Sequence, residues 1–205
     1  ALLVDEAHNL PDRGREMHSA QMDPAALNAL RRGAPPKLRR PMARLAREWD
    51  ALAAAQTADY SAHETLPQDW FEALQHTASA IGDHLAEAPH EPAPQLQQFW
   101  FDALAMLRLG ETFGEHSVFD VTLRHGPRGP QALPCIRNLI PAPFLGPRVR
   151  HAHASILFSA TLNPFDFYRD TLGLPEDTVW TDVASPFSAE QLSVRLVRSI
   201  STRWQ

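Results

Sequence analysis

Apolar residues follow two rhythms along the chain. Two short unbroken runs, Ala1-Leu2-Leu3-Val4 and Ser155-Ile156-Leu157-Phe158, read as buried strands. Between them the spacing changes to threes and fours. Residues 24–32 read as a short helix halted by Gly33-Ala34-Pro35-Pro36, and residues 42–56 as a helix rich in Ala, Leu and Arg. Residues 69–87 place Trp70, Leu74, Ile81 and Leu85 on one face, and residues 94–109 do the same with Leu96, Phe99, Ala103, Leu104 and Leu107. Such helices pack into an antiparallel bundle, with Trp70, Phe99 and Trp100 as core. Trp49 lies among basic residues, which leaves base stacking open beside burial.

Further along, Ser117-Val118-Phe119-Asp120-Val121-Thr122-Leu123 alternates in part, and Gly126-Pro127-Arg128-Gly129-Pro130 is a turn cluster. A return strand over 131–139 would complete a hairpin. Pro141-Ala142-Pro143 breaks the chain, and residues 144–151 lead back to the second apolar run. Residues 164–172 read as a helix with Pro near its first turn and Gly173 at its end. Residues 179–183 and 193–199 read as further strands.

Composition places limits on this picture. The chain has 205 residues, 44% of them apolar, enough for one or two domains with a core. It contains no apolar stretch of membrane-spanning length and no visible signal peptide, so a cytoplasmic location without membrane contact is expected. One cysteine, Cys135, excludes an internal disulfide and a cluster held by four local cysteines.

The net charge of −5 conceals segregation. Arg31, Arg32, Lys37, Arg39, Arg40, Arg44 and Arg47 fall in one block without an acid, and Asp59 to Asp120 holds eleven acids against Arg108 alone. Five arginines follow between Val121 and Ala154, again without an acid. Solvated helix faces would account for such runs. Segregation also suits one face turned to a polyanion, whose phosphate contacts would make binding salt-dependent.

The first apolar run ends in Asp5-Glu6, with His8 two residues on. A strand end delivers carboxylates to the crevice at a sheet edge. There one carboxylate can hold Mg²⁺ against nucleotide phosphates, and the next can orient or deprotonate water. The reaction this suggests is hydrolysis of a nucleoside triphosphate, although an Asp-Glu pair after a strand is also an ordinary surface feature.

Asp5-Glu6-Ala7-His8 resembles motif II of the superfamily 2 helicases, and Ser159-Ala160-Thr161-Leu162 resembles their motif III. Ala7-His8-Asn9-Leu10, with Ser185-Pro186-Phe187 downstream, is similar to the XPD/DinG (Rad3-related) DNA helicases. The motifs lie about 150 residues apart, a gap that in this group holds a large, mostly helical Arch insertion. The resemblance implies α/β motor-domain pieces, parallel strands of a RecA-like sheet, with a mostly α-helical Arch-like insertion carrying a small β-hairpin. Residues 1–20 and 153–198 would belong to the first motor domain, 21–152 to the insertion, and 199–205 to the link with a second motor domain.

The resemblance also assigns roles. Asp5 would hold the Mg²⁺ of bound ATP, Glu6 would activate the attacking water, and His8 would couple the nucleotide site to DNA-facing motifs. Ser159, Ala160 and Thr161 would form the coupling motif III. The partner would be single-stranded DNA, traversed 5′ to 3′, with repair or replication proteins as further partners. The seven residues of the first basic block are the DNA-binding candidates. No phosphate-loop motif occurs here, so the chain reads as a fragment, inactive in ATP hydrolysis without the remaining parts of its motor domains. An iron–sulfur cluster in the parent protein would be ligated upstream of motif II, not by this segment.

His151-x-His153 has no acid or cysteine at ligand spacing, and packed or surface histidines are the ordinary reading. Cys135 has no sequence partner that marks it as a nucleophile. Two function classes stand: an ATP-dependent DNA helicase, and a non-catalytic Arch-like module that binds single strands or recruits a partner.

Overall fold

The computed structural model describes residues 1–87, 93–126, 129–191 and 193–195. It contains a parallel pair of strands and a larger body of helices on an antiparallel sheet. In the pair, β1 (Leu2–Val4) runs beside β6 (Ser155–Leu157), with Leu2 opposite Ser155, Leu3 opposite Ile156 and Val4 opposite Leu157. The two apolar runs of the sequence are thus hydrogen-bonded neighbours. Their faces are not buried as expected: Leu3 and Ile156 remain 66% and 57% exposed.

The helical body begins with α1 (Leu10–Met17), which the sequence reading left unassigned, and α2 (Pro24–Arg31). Asp23 caps α2 by accepting a 2.7 Å hydrogen bond from the Ala25 N–H. Helix α3 (Pro36–Ala54) starts six residues before the expected position. The expected helix began at Met42; an internal proline loses a backbone hydrogen bond and clashes with the preceding turn. Here the helix runs through Pro41, and Leu38 joins Met42, Leu45, Ala46 and Trp49 on one buried face. Burying a leucine contributes about 1.5–3 kcal/mol, comparable with the proline penalty of about 3 kcal/mol.

Helix α4 (Gln68–Glu87) packs between α3 and α5 (Pro94–Glu111). Trp70, Leu74, Ile81, Leu96, Phe99 and Ala103 are buried as their spacing predicts, Leu85, Leu104 and Leu107 are half-buried, and Met106 joins the core. Trp100 is half-buried and donates from Nε1 to the Ala78 carbonyl at 3.0 Å.

The hairpin is present as β4 (Ser117–Gly126) and β5 (Gly129–Asn138), paired from Ser117–Asn138 to Gly126–Gly129. It is the centre of a four-stranded sheet in the order β2-β5-β4-β3, with β2 (Ala20–Gln21) and β3 (Tyr60–His63) at the edges. Neither edge segment alternates over enough residues to stand out in sequence. Phe119, Val121, Ala132 and Ile136 face the helices and close the core.

Helix α6 (Ala142–His151) occupies the segment expected to be a break and a connection. Pro141 and Pro143 fall before and within its first turn, where proline starts helices. Helix α7 (Phe165–Leu172) ends at Gly173 in the left-handed conformation, φ 65°, as the sequence suggested. Residues 179–183 form no strand: Val179 and Val183 are 85% and 89% exposed, so no neighbour covers the pattern that suggested one. Residues 193–195 also lack strand structure, and the rest of that expected strand lies outside the described residues.

Candidate functional site

Strand β1 ends at Val4, and the chain turns sharply at Glu6, where φ 50° and ψ 41° put a non-glycine residue in the left-handed region. That conformation costs about 1–2 kcal/mol and is characteristic of sites where the surroundings impose the backbone. Asp5 Oδ1 accepts the Glu6 N–H at 2.7 Å. A short 3₁₀ turn, Ala7–Asn9, follows, with Ala7 fully buried and its N–H donated to the Phe158 carbonyl at 3.1 Å. Phe158 in turn donates its N–H to Val4 at 3.0 Å. These bonds carry the ladder beyond both strands and lock the two motif-bearing loops side by side.

His8, Glu6 and Ser159 meet there. His8 Nδ1 lies 2.7 Å from Ser159 Oγ and 3.1 Å from Glu6 Oε2, and Ser159 Oγ is 3.5 Å from the same carboxylate oxygen. A nitrogen lone pair facing a carboxylate would be repulsive, so this geometry favours the proton on Nδ1, donated toward both oxygens. Ser159 Oγ also accepts the Thr161 N–H at 3.3 Å. Ala160 spans the turn between these two residues. Asp5, Glu6, His8, Ser159, Ala160 and Thr161 are thus brought to one end of the parallel pair, while the seven basic residues stand elsewhere on the helices.

The donor set suits Mg²⁺. This ion takes oxygen ligands, retains waters and binds proteins through one or two carboxylates together with substrate phosphates. Asp5 is exposed at the strand end and keeps Oδ2 outside its bond to Glu6. Among the described residues no three His, Cys, Asp or Glu side chains converge as a closed metal cage. Cys135 does not fit an iron–sulfur cluster. It is buried in β5, and burial, followed by the nearby Asp120 charge, pushes its thiol up to about 11. Burial and this shift favour a protonated thiol.

The basic block divides on folding. Lys37 Nζ reaches both carboxylate oxygens of Glu87 at 2.8 and 2.7 Å, and Arg39 Nε donates to the Ala34 carbonyl at 3.1 Å. Arg32 is exposed at the end of α2. Arg31, Arg40, Arg44 and Arg47 line one depression with His76. Trp49 is buried, 2% exposed, with Nε1 donating to the Ala132 carbonyl at 2.8 Å, which excludes base stacking. Its apolar position on α3, in step with Leu38, Met42 and Leu45, was the available signal.

A second cluster joins the two parts of the fold and was not legible from sequence. His18 stacks on Phe144 with ring centroids 4.0 Å apart, and His116 meets the same ring edge-on at 5.1 Å. Burial first, then Arg148 and His116, hold the His18 ring below its usual range. Glycines allow close approach beside it: a Cβ on Gly14 would lie 2.8 Å from Pro141, and one on Gly146 would lie 2.7 Å from the Gly173 carbonyl oxygen.

No family model matches the chain, and no curated protein matches it. Among solved structures, one described as an XPD helicase matches with a TM-score of 0.55 at 18% identity, over 88% of this chain. This chain spans 30% of that one. The likeness is one of fold: a mixed α/β arrangement in which a parallel strand pair carries a helical region, as the sequence reading expected. Among the described residues no helix is long and apolar enough to cross a membrane.

Proposed function

We propose that this chain is part of an ATP-dependent DNA helicase of the XPD/DinG type, acting on single-stranded DNA in repair or replication. The observation that carries the reading is the contact of Glu6 and His8 with Ser159, made across two parallel strands whose ends present Asp5. A motor must link the state of a nucleotide to the state of a distant element, and a hydroxyl within reach of both the carboxylate and the imidazole is suited to that link.

In this reading Asp5 holds Mg²⁺, which when bound neutralises phosphate charge. Glu6 orients water and takes its proton, from a left-handed backbone and with its carboxylate 3.1 Å from His8 Nδ1. His8 and Ser159 sense the position of that carboxylate. The phosphate loop, the arginine finger and the second motor domain would be supplied by other segments of the intact protein. Translocation would run 5′ to 3′, by the family resemblance.

The alternative, a non-catalytic module that binds nucleic acid or a partner, is favoured by the size of the helical body relative to the two-stranded pair. Single-strand-stimulated ATPase of the intact protein, with and without Glu6→Gln, separates them. Stimulated turnover in the wild type, lowered about 10²–10⁴-fold by the substitution with DNA binding retained, is the expected result. Equal behaviour of the two proteins would favour the binding module.

A further inference from the structure

Arg40, Arg44 and Arg47 recur at intervals of four and three on α3, opposite the face that Leu38, Met42, Leu45 and Trp49 bury. They therefore form one row. Arg31 at the end of α2 and His76 on α4 complete the walls of a depression that also contains Pro41 and Ala43. Among the described residues, no carboxylate is within ion-pair distance of Arg31, Arg40 or Arg47. Glu72 is the exception for Arg44, at 3.4 Å. Four guanidinium groups gathered with one partial counter-charge repel one another. An anion with several charges relieves that repulsion.

We propose that this depression binds the phosphodiester backbone of nucleic acid and reads charge, not bases. The proposal rests on the nucleic-acid reading above and narrows it from seven residues to four. The arginine row rises over about 10 Å of helix, which spans about three steps of a duplex strand at roughly 3.4 Å each. Guanidinium forks match phosphate oxygens in pairs. No Trp, Tyr or Phe lines the depression, and Trp49, the aromatic residue nearest in sequence, is turned into the core. Base stacking is what gives single strands their sequence-tolerant grip. Without a Trp, Tyr or Phe platform the site holds duplex and single strand alike, which suits the flank of a junction more than the track of a motor.

The test is fluorescence anisotropy on the full-length chain, without nucleotide, using a labelled 20-mer single strand and its duplex over a salt series. Arg40→Ala with Arg47→Ala is expected to weaken binding to both at least tenfold at low salt and to lower the salt slope by about two. Arg32→Ala with Lys37→Ala removes the same charge from the same sequence block outside the depression and is expected to change affinity less than twofold. Glu72→Gln, which frees Arg44 without removing a cation, is expected to tighten binding. Equal losses from the two double variants, no loss from the first, or a preference above tenfold for the single strand would overturn the proposal. Failure of the helicase reading would appear elsewhere, as an absence of ATP turnover in the intact protein with these binding differences intact.

Discussion

His8 and Ser159, separated by 151 positions in sequence, share a contact of 2.7 Å, and Glu6 lies 3.1 Å from the same imidazole nitrogen. Ser159→Ala leaves His8 with the carboxylate alone. A lost hydrogen bond of about 1–1.5 kcal/mol corresponds to a loss of roughly tenfold in rate if it is made in the transition state. In the intact protein the expected outcome is a DNA-stimulated kcat lowered by about that factor, with DNA affinity within twofold of wild type. Steady-state ATPase assays over a range of DNA concentrations check this, and an unchanged kcat would remove Ser159 from the coupling path.

Asp120 is buried in β4, with a side chain 1% exposed, and receives Arg137 Nε at 2.7 Å from the neighbouring strand. That bond leads the interactions that raise the Arg137 pKa above its usual range. Arg137→Ala abandons a carboxylate in the sheet and is expected to cost about 2–3 kcal/mol, below the penalty for a fully buried pair because Arg137 is half-exposed. Asp120→Asn retains an acceptor for Arg137 and is expected to cost less. Urea unfolding of both variants decides; equal losses would mean that the pair acts through packing alone.

His18 links stability to pH. Its folded-state pKa is lowered, so the unfolded chain binds a proton more readily, and the stability its packing contributes is complete above about the usual value of 6.5. As pH falls below that value the contribution drains away, until the folded ring also titrates. The groups facing it are Phe144, Arg148 and His116. His18→Phe, which keeps a ring against Phe144, is expected to reduce the fall in melting temperature between pH 7.5 and 5.5. Parallel pH profiles for the two proteins would contradict it.

Gly146 tests the packing of α6 on the α7 end. A methyl group there would press on the Gly173 carbonyl oxygen at 2.7 Å, whereas one at Gly33 would meet nothing within 4 Å. Gly146→Ala is expected to lower stability by about 1–2 kcal/mol, overpacking outweighing the helix-propensity gain. Gly33→Ala is expected to be neutral within about 0.5 kcal/mol. Calorimetric melting compares them.

Much of this molecule follows from local chemistry. The spacing of Trp70, Leu74 and Ile81 marks a helix face because 3.6 residues make a turn, and the turn residues after His125 mark a hairpin. Asp5-Glu6 and Ser159-Ala160-Thr161 were legible as chemistry because each follows an apolar strand run. Pro141 and Pro143 suggested a break, yet α6 begins there, because proline suits a helix's first turn as well as a bend in the chain. Edge strands β2 and β3 were missed because four residues or fewer carry almost no pattern.

The sequence by itself determined which segments carry carboxylates, hydroxyls and cations, and which faces seek burial, since side-chain chemistry and helical periodicity are local properties. Only the tertiary structure decided that Ser159 reaches His8, that Trp49 serves the core, and that four of the seven basic residues share one depression. Those outcomes depend on hydrogen-bond register between distant strands and on the packing of one helix against another, and neither distance is written in the spacing of residues along the chain.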